Sequence, residues 1–189
     1  MSGRIVQARE RKVEVLEAGK GNPLLYLHGF VDVHGLKPGF MAFHDALTKQ
    51  ARVIAPAQMA RSQRGQGSNT RYVCDILPQT EEAESLLVVE VITPPGHASS
   101  YPPHKHDTAG DGETVLEETY YHQIDPAQGF AFQRVYTDDR SLDQTMAVEH
   151  RDTVLVPRGY HPCVAPHGYA LYYLNTMAGP RRHWAFRND

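Results

Sequence analysis

Two features that would identify many proteins at a glance are missing from this chain. It has only two cysteines, Cys74 and Cys163, each alone in its neighbourhood, so neither a disulfide framework nor a CxxC metal knuckle can be assembled. It also has no basic surplus. The formal net charge of -3 supplies none of the positive excess that binding to nucleic acid or an anionic membrane calls for, so neither partner is expected. No run of about 18 apolar residues and no charged-then-apolar leader occurs, so the expectation is a soluble cytoplasmic protein with no membrane partner. There is no internal repeat, no low-complexity linker and, beyond residue 51, no amphipathic helix of useful length. What remains is ordinary globular composition, 41% hydrophobic and 22% charged over 189 residues.

The chain reads as two pieces. In the first, Val13 and Val15 alternate with charged residues as in an edge strand, and Leu24-Leu25-Tyr26-Leu27 is a short buried-strand run. A His28-Gly29 turn follows, then apolar residues at helical spacing over 39–47, then a strand over 52–56. That order is similar to the opening of an α/β-hydrolase, in which groups after the His-Gly help build an oxyanion hole. No G-x-S-x-G occurs anywhere, so an esterase lacks its nucleophile elbow. The expected organisation is a hydrolase-like segment over 1–50, a connecting stretch over 51–70 and a β domain over 71–189. In that last part, β-branched and aromatic runs at 72–77, 86–92, 130–136, 153–156 and 169–174 are separated by Pro, Gly and Asp turns. Their spacing suits a jelly roll or antiparallel barrel.

Chemistry concentrates in three places: His104-Lys105-His106-Asp107, Glu117-Glu118-Thr119-Tyr120-Tyr121-His122 and Pro157-Arg158-Gly159-Tyr160-His161. Two histidines at i and i+2 share a strand face, and a carboxylate and a third histidine from neighbouring strands can complete a metal cage. A lone His-x-His is commonly a surface accident; the acidic run and the Pro-x-Gly-x-His behind it favour ligands. His122, His150, His167 and His183 have no such partners and read as structural or surface residues, His122 being the one best placed to approach the pocket.

Several motifs in consecutive order resemble one known family. Ser99-Ser100-Tyr101-Pro102-Pro103-His104-Lys105-His106-Asp107, Leu116-Glu117-Glu118-Thr119-Tyr120-Tyr121-His122, the stretch 129–139, Pro157-Arg158-Gly159-Tyr160-His161-Pro162 and the stretch 172–180 look like 5-deoxy-glucuronate isomerases of inositol catabolism. Those proteins are bicupins, and this chain resembles only their C-terminal cupin and the stretch leading into it. The resemblance implies a mainly β, cupin-type jelly-roll barrel after a short α/β-like segment. It also implies a metal-dependent aldose–ketose isomerase making 2-deoxy-5-keto-gluconate.

Carried across residue by residue, the family's metal ligands fall on His104, His106, Glu118 and His161. Adjacent strand residues face opposite sides, so Glu117 is the alternative if the register is off by one. The cofactor is one divalent transition metal, Zn or Mn foremost, with Fe, Co and Ni compatible with the same donors. A sugar acid makes Arg71 and Arg134 candidate carboxylate clamps, since a guanidinium presents a bidentate fork. Glu117, Lys105, His122 and Tyr121 are the candidate general bases, with no choice among them. A domain built to pack against a missing neighbour leads to the expectation of a homo-oligomer. A metal-binding cupin without turnover and the disfavoured esterase are the competing readings.

Overall fold

The computed structural model describes residues 2–8, 11–18, 20, 23–25, 52–56, 60–81, 83–110 and 112–189. The chain divides into two compact units between Ala60 and Arg61. In the first, strands β1 (Ser2–Ala8), β2 (Arg11–Ala18), β3 (Pro23–Leu25) and β4 (Arg52–Pro56) form one sheet in the order β1-β2-β4-β3. β1 and β2 are an antiparallel hairpin, whereas β3 and β4 run parallel, the pairing that a strand–crossover–strand sequence produces. The sequence pattern assigns no strand to Ser2–Ala8, yet it pairs with β2 along its full length. The expected helix over 39–47 and the His28-Gly29 turn lie outside the described residues.

The remaining strands lie in the second unit, except that the first residue of β5, Ala60, is the last of the first unit. They are β5 (Ala60–Arg64), β6 (Arg71–Leu77), β7 (Leu87–Thr93), β8 (Ala98–Ser99), β9 (His104–Lys105), β10 (Glu117–Asp125), β11 (Phe130–Tyr136), β12 (Asp143–Glu149), β13 (Thr153–Val156), β14 (Cys163–Val164), β15 (Ala170–Ala178) and β16 (Arg187–Asn188). A six-stranded sheet has the order β13-β10-β15-β7-β6-β5, a four-stranded sheet the order β12-β11-β14-β8, and β16 pairs with β9. Apart from one 3-10 turn, Gly67–Asn69, the described residues contain no helix. None is therefore long and apolar enough to cross a membrane.

This is a mainly β, cupin-type jelly roll, and alternation explains it. Along β15, Leu171, Tyr173, Asn175 and Met177 are buried and the residues between them are not. β10 does the same with Glu118, Tyr120, His122 and Ile124. Those inward rows meet Ala131, Val135, Val148 and Cys163 from the other sheet in one continuous core. Each large apolar side chain taken out of water there contributes about 1.5–3 kcal/mol. β12 has a polar sequence, Asp-Gln-Thr-Met-Ala-Val-Glu, and no run to betray it; its register against β11 holds it as an edge strand. The consequence for the site is that polar side chains at inward positions of β10 and β15 have nowhere to go but the barrel interior.

Candidate metal centre

Three imidazoles converge at the end of the barrel. The ligand-capable nitrogens of His104, His106 and His161 all lie within 4.8 Å of one another. Ring centroids are 4.7 Å apart for His104 and His161, 5.2 Å for His106 and His161, and 6.0 Å for His104 and His106. Glu118 completes the group from β10: its Oε1 lies 2.6 Å from His106 Nε2 and its Oε2 lies 3.4 Å from His161 Nε2. Glu117, one residue earlier, is exposed on the opposite face.

Backbone carbonyls set the rings. His106 Nδ1 donates to Leu116 O at 3.0 Å, and His161 Nδ1 donates to Gly159 O at 2.8 Å, which turns each Nε2 toward Glu118. Asn175 Nδ2 donates to Glu118 Oε2 at 2.8 Å and fixes the carboxylate. Gly159 has a φ of +90°, and a Cβ there would run into the carbonyl of Tyr136. Only glycine fits that turn without strain.

Burial and the neighbouring His161 pull His104 down to about 3, so its ring is neutral. Burial likewise keeps His161 neutral. Burial also presses down on His106, but its contacts with Glu118 and the Leu116 carbonyl outweigh that and raise it. Burial alone would raise Glu118, yet His161 and His106 hold it well below the ordinary carboxylate range. The group is therefore an anion among imidazoles. His161 Nε2 is buried, faces that anion and has no hydrogen-bond partner among the described residues. A bare imidazole nitrogen, a second neutral imidazole and a carboxylate are the donor set a divalent transition metal uses, and the residues fit one.

A second network binds the histidine segments together from outside. Lys105 points away from the imidazoles and is 4% exposed. Its ammonium meets Asp107 Oδ1 at 2.7 Å and Glu113 Oε1 at 3.2 Å. Burial works against its charge, but the two carboxylates raise it above the ordinary lysine value. Glu113 Oε1 also accepts from the backbone N–H groups of Asp107 and Thr108. Asp107 Oδ2 accepts from Gly159 N at 2.7 Å, linking the His104–His106 strand to the turn that orients His161.

A cavity opens onto this group. Arg64, Arg71, Ser100, Tyr120, Tyr173, Asn175 and Trp184 line it together with His104, Glu118 and the apolar walls Val73, Val89 and Val91. Arg71 is therefore in place, its Nη1 steadied by Asn69 O at 3.1 Å and Asn69 Oδ1 at 2.9 Å. Arg134 is not. On β11 it lies between the inward residues Gln133 and Val135, so it points outward, where it forks onto Asp143 at 2.8 and 2.7 Å. None of the four expected bases lines the cavity. Glu117 and Tyr121 occupy the outward alternation of β10, Lys105 sits in its carboxylate cage, and His122 lies deeper, with its Nε2 on Gln133 Oε1 at 2.9 Å. Three hydroxyls also line the cavity: Ser100 Oγ lies 3.1 Å from Tyr120 Oη and 3.4 Å from Tyr173 Oη. Tyr120 could have been found from its i+2 relation to Glu118. Asn175, Arg64 and Trp184 carry no such local signal.

Residues 35–189 match the KduI/IolB family model. Over 143 residues the chain is 59% identical to a 5-deoxy-glucuronate isomerase of Geobacillus thermodenitrificans (strain NG80-2), covering 75% of this chain and 52% of the relative. Over 139 residues it is 63% identical to one of Listeria monocytogenes serotype 4b (strain CLIP80459), covering 72% and 51%. A crystal structure of an IolB-like protein from Salmonella typhimurium LT2 superposes with a TM-score of 0.70 at 55% identity, covering 75% of this chain and 54% of that one. The chain spans about half the length of the curated relatives it matches. The hydrolase-like opening draws no support from these matches. A family match over most of the chain, with relatives this similar across it, means that the chain belongs to the KduI/IolB family.

Proposed function

We propose that this chain isomerises 5-deoxy-glucuronate, the substrate for which its relatives are named, to 2-deoxy-5-keto-gluconate. The observation that carries the reading is the His104, His106, His161 and Glu118 group opening into the same cavity as Arg71. His104, His106, Glu118 and His161 would hold a divalent transition metal, Zn or Mn foremost. When bound, such an ion supplies Lewis-acid polarisation of the substrate's carbonyl and adjacent hydroxyl oxygens.

The chain's own residues do the rest. Arg71, on the cavity wall, binds the substrate carboxylate, and a sugar acid held at that end is oriented before any proton moves. Asn175 and the carbonyls of Leu116 and Gly159 hold their partners in one geometry. Val73, Val89 and Val91 keep the cavity apolar on one side and limit water. Burial raises Tyr120 well above the ordinary tyrosine value, so its phenol stays protonated and donates. The Tyr120, Ser100 and Tyr173 hydroxyls form a hydrogen-bonded chain, with Ser100 Oγ in the middle, that donates to the substrate oxygen on which negative charge develops.

Cytoplasmic location, self-association and the division at 1–50, 51–70 and 71–189 belong to the same proposal. Elemental analysis of purified protein, followed by an assay with 5-deoxy-glucuronate before and after chelation and metal restoration, tests it. The expected result is near-stoichiometric metal and activity that follows it. Replacing both His104 and His106 by Ala should abolish bound metal; a full equivalent retained would overturn the ligand set. Stoichiometric metal without turnover would favour the inactive cupin.

A further inference from the structure

Residues 181–189 run past the cavity in a way that the isomerase reading does not use. One end is hooked by Arg182, whose guanidinium donates to Leu86 O at 2.8 Å and Pro78 O at 2.6 Å and also reaches Glu81 O. The middle is held by Thr114, whose Oγ1 donates to His183 O at 2.8 Å and whose N–H donates to Ala185 O at 3.0 Å. The far end pairs with β9, places Arg187 on Asp138 at 2.9 Å and accepts the Tyr136 hydroxyl on Asp189 at 2.7 Å. Between these anchors lie two aromatic rings. Phe186 stands 4.8 Å from the His104 ring, and Trp184, the chain's single tryptophan, lines the cavity.

Two details make Trp184 more than packing. Its Nε1–H is buried and has no hydrogen-bond partner among the described residues. A buried donor left unsatisfied is unfavourable, and such groups are found where a ligand supplies the acceptor. Second, the Arg64 guanidinium lies 5.9 Å from the centre of the indole ring, and Arg64 and Arg71 line the same cavity. An aromatic face, a free indole donor and two guanidinium groups on one cavity suit a polyhydroxylated carboxylate. Such a ligand's C–H edge would pack on the ring, a hydroxyl would accept from Nε1, and its charge would be met by arginine.

We propose that Trp184, set in place by the anchored 181–189 segment and paired with Arg64, is a substrate-contact residue that selects open-chain sugar acids in this cavity. The inference rests on the isomerase reading. Because Trp184 is the only tryptophan, its emission reports directly on the cavity. Titrating the metal-loaded full chain with 5-deoxy-glucuronate should change the emission saturably, with a midpoint matching KM. Trp184→Phe keeps an aromatic ring but removes the donor. It should raise KM about fivefold to tenfold, with kcat changed less than about threefold and metal content and melting temperature unaltered. It should also narrow the preference for the acid over the analogue in which the carboxylate is replaced by a hydroxymethyl group. Should the variant fail to fold, the titration of the wild-type chain decides. Turnover with silent emission and a KM within about twofold of wild type would overturn the contact alone. A saturable emission change without turnover would support the contact and overturn the isomerase reading.

Discussion

Replacing Asp107 by Asn probes how the histidine-bearing segments are tied together without touching an imidazole. Asp107 joins three partners: Lys105 Nζ at 2.7 Å, Thr108 Oγ1 at 2.9 Å and, through its other oxygen, Gly159 N at 2.7 Å. Asn keeps the shape but has one acceptor oxygen, so either the ammonium or the Gly159 amide loses its partner. Removing one partner of a fully buried ion pair, which leaves the other charge uncompensated, costs about 3–5 kcal/mol. Here Lys105 retains Glu113, and the Asp107 side chain is 16% exposed, which brings the cost to about 2 kcal/mol, the range of one charge-assisted hydrogen bond. For a chain of this length that is a fall of about 4–8 °C in melting temperature. Metal affinity should drop about 10- to 100-fold, because the carbonyl that orients His161 belongs to the same glycine that Asp107 holds. Thermal denaturation of the metal-free protein measures the first effect, and competition against a chelator measures the second. A melting temperature within about 1 °C of wild type together with affinity within about twofold would refute the reasoning.

Gly159→Ala forces a side chain into positive φ against the Tyr136 carbonyl and should destabilise by at least about 1–3 kcal/mol; a neutral result in chemical denaturation would show that the turn is not constrained as described. Burial lowers His122, so the folded ring stays neutral where the unfolded one protonates. The unfolded chain then binds more protons, and stability should decline as pH falls below about 6.5. Denaturation at about pH 7.5 and 5.5 should show a smaller decline for His122→Gln than for wild type, and equal declines would contradict the assignment.

Much of this was legible because strand alternation is a strict rule. Once Glu118 is inward, Tyr120 and His122 must be, and Glu117 and Tyr121 cannot be. The same rule shows why Arg134 misleads: its residue type suits a carboxylate, but its neighbours Gln133 and Val135 take the inward positions. Other features depend on contacts between distant segments, which no local pattern records. Asn175 meets Glu118 only because β15 pairs with β10, and Trp184 reaches the cavity only because Arg182 and Thr114 hold its segment there. Lys105 was readable in direction, since it alternates between two histidines, but its carboxylate cage requires Glu113 to fold back across a loop.

The imidazoles and Glu118 are delivered by separate pieces of the barrel: β9 and the residue after it, the start of strand β10 in the six-stranded sheet, and the connection between β13 and β14. His104 and His161 are far apart along the chain, and closing the intervening loop is favourable only after the strands between them have paired. During synthesis, an emerging chain could therefore present His104 and His106 long before His161 joins them. Two imidazoles alone make a weak and unselective site, so choice among competing ions is deferred until the barrel has closed and its geometry can discriminate.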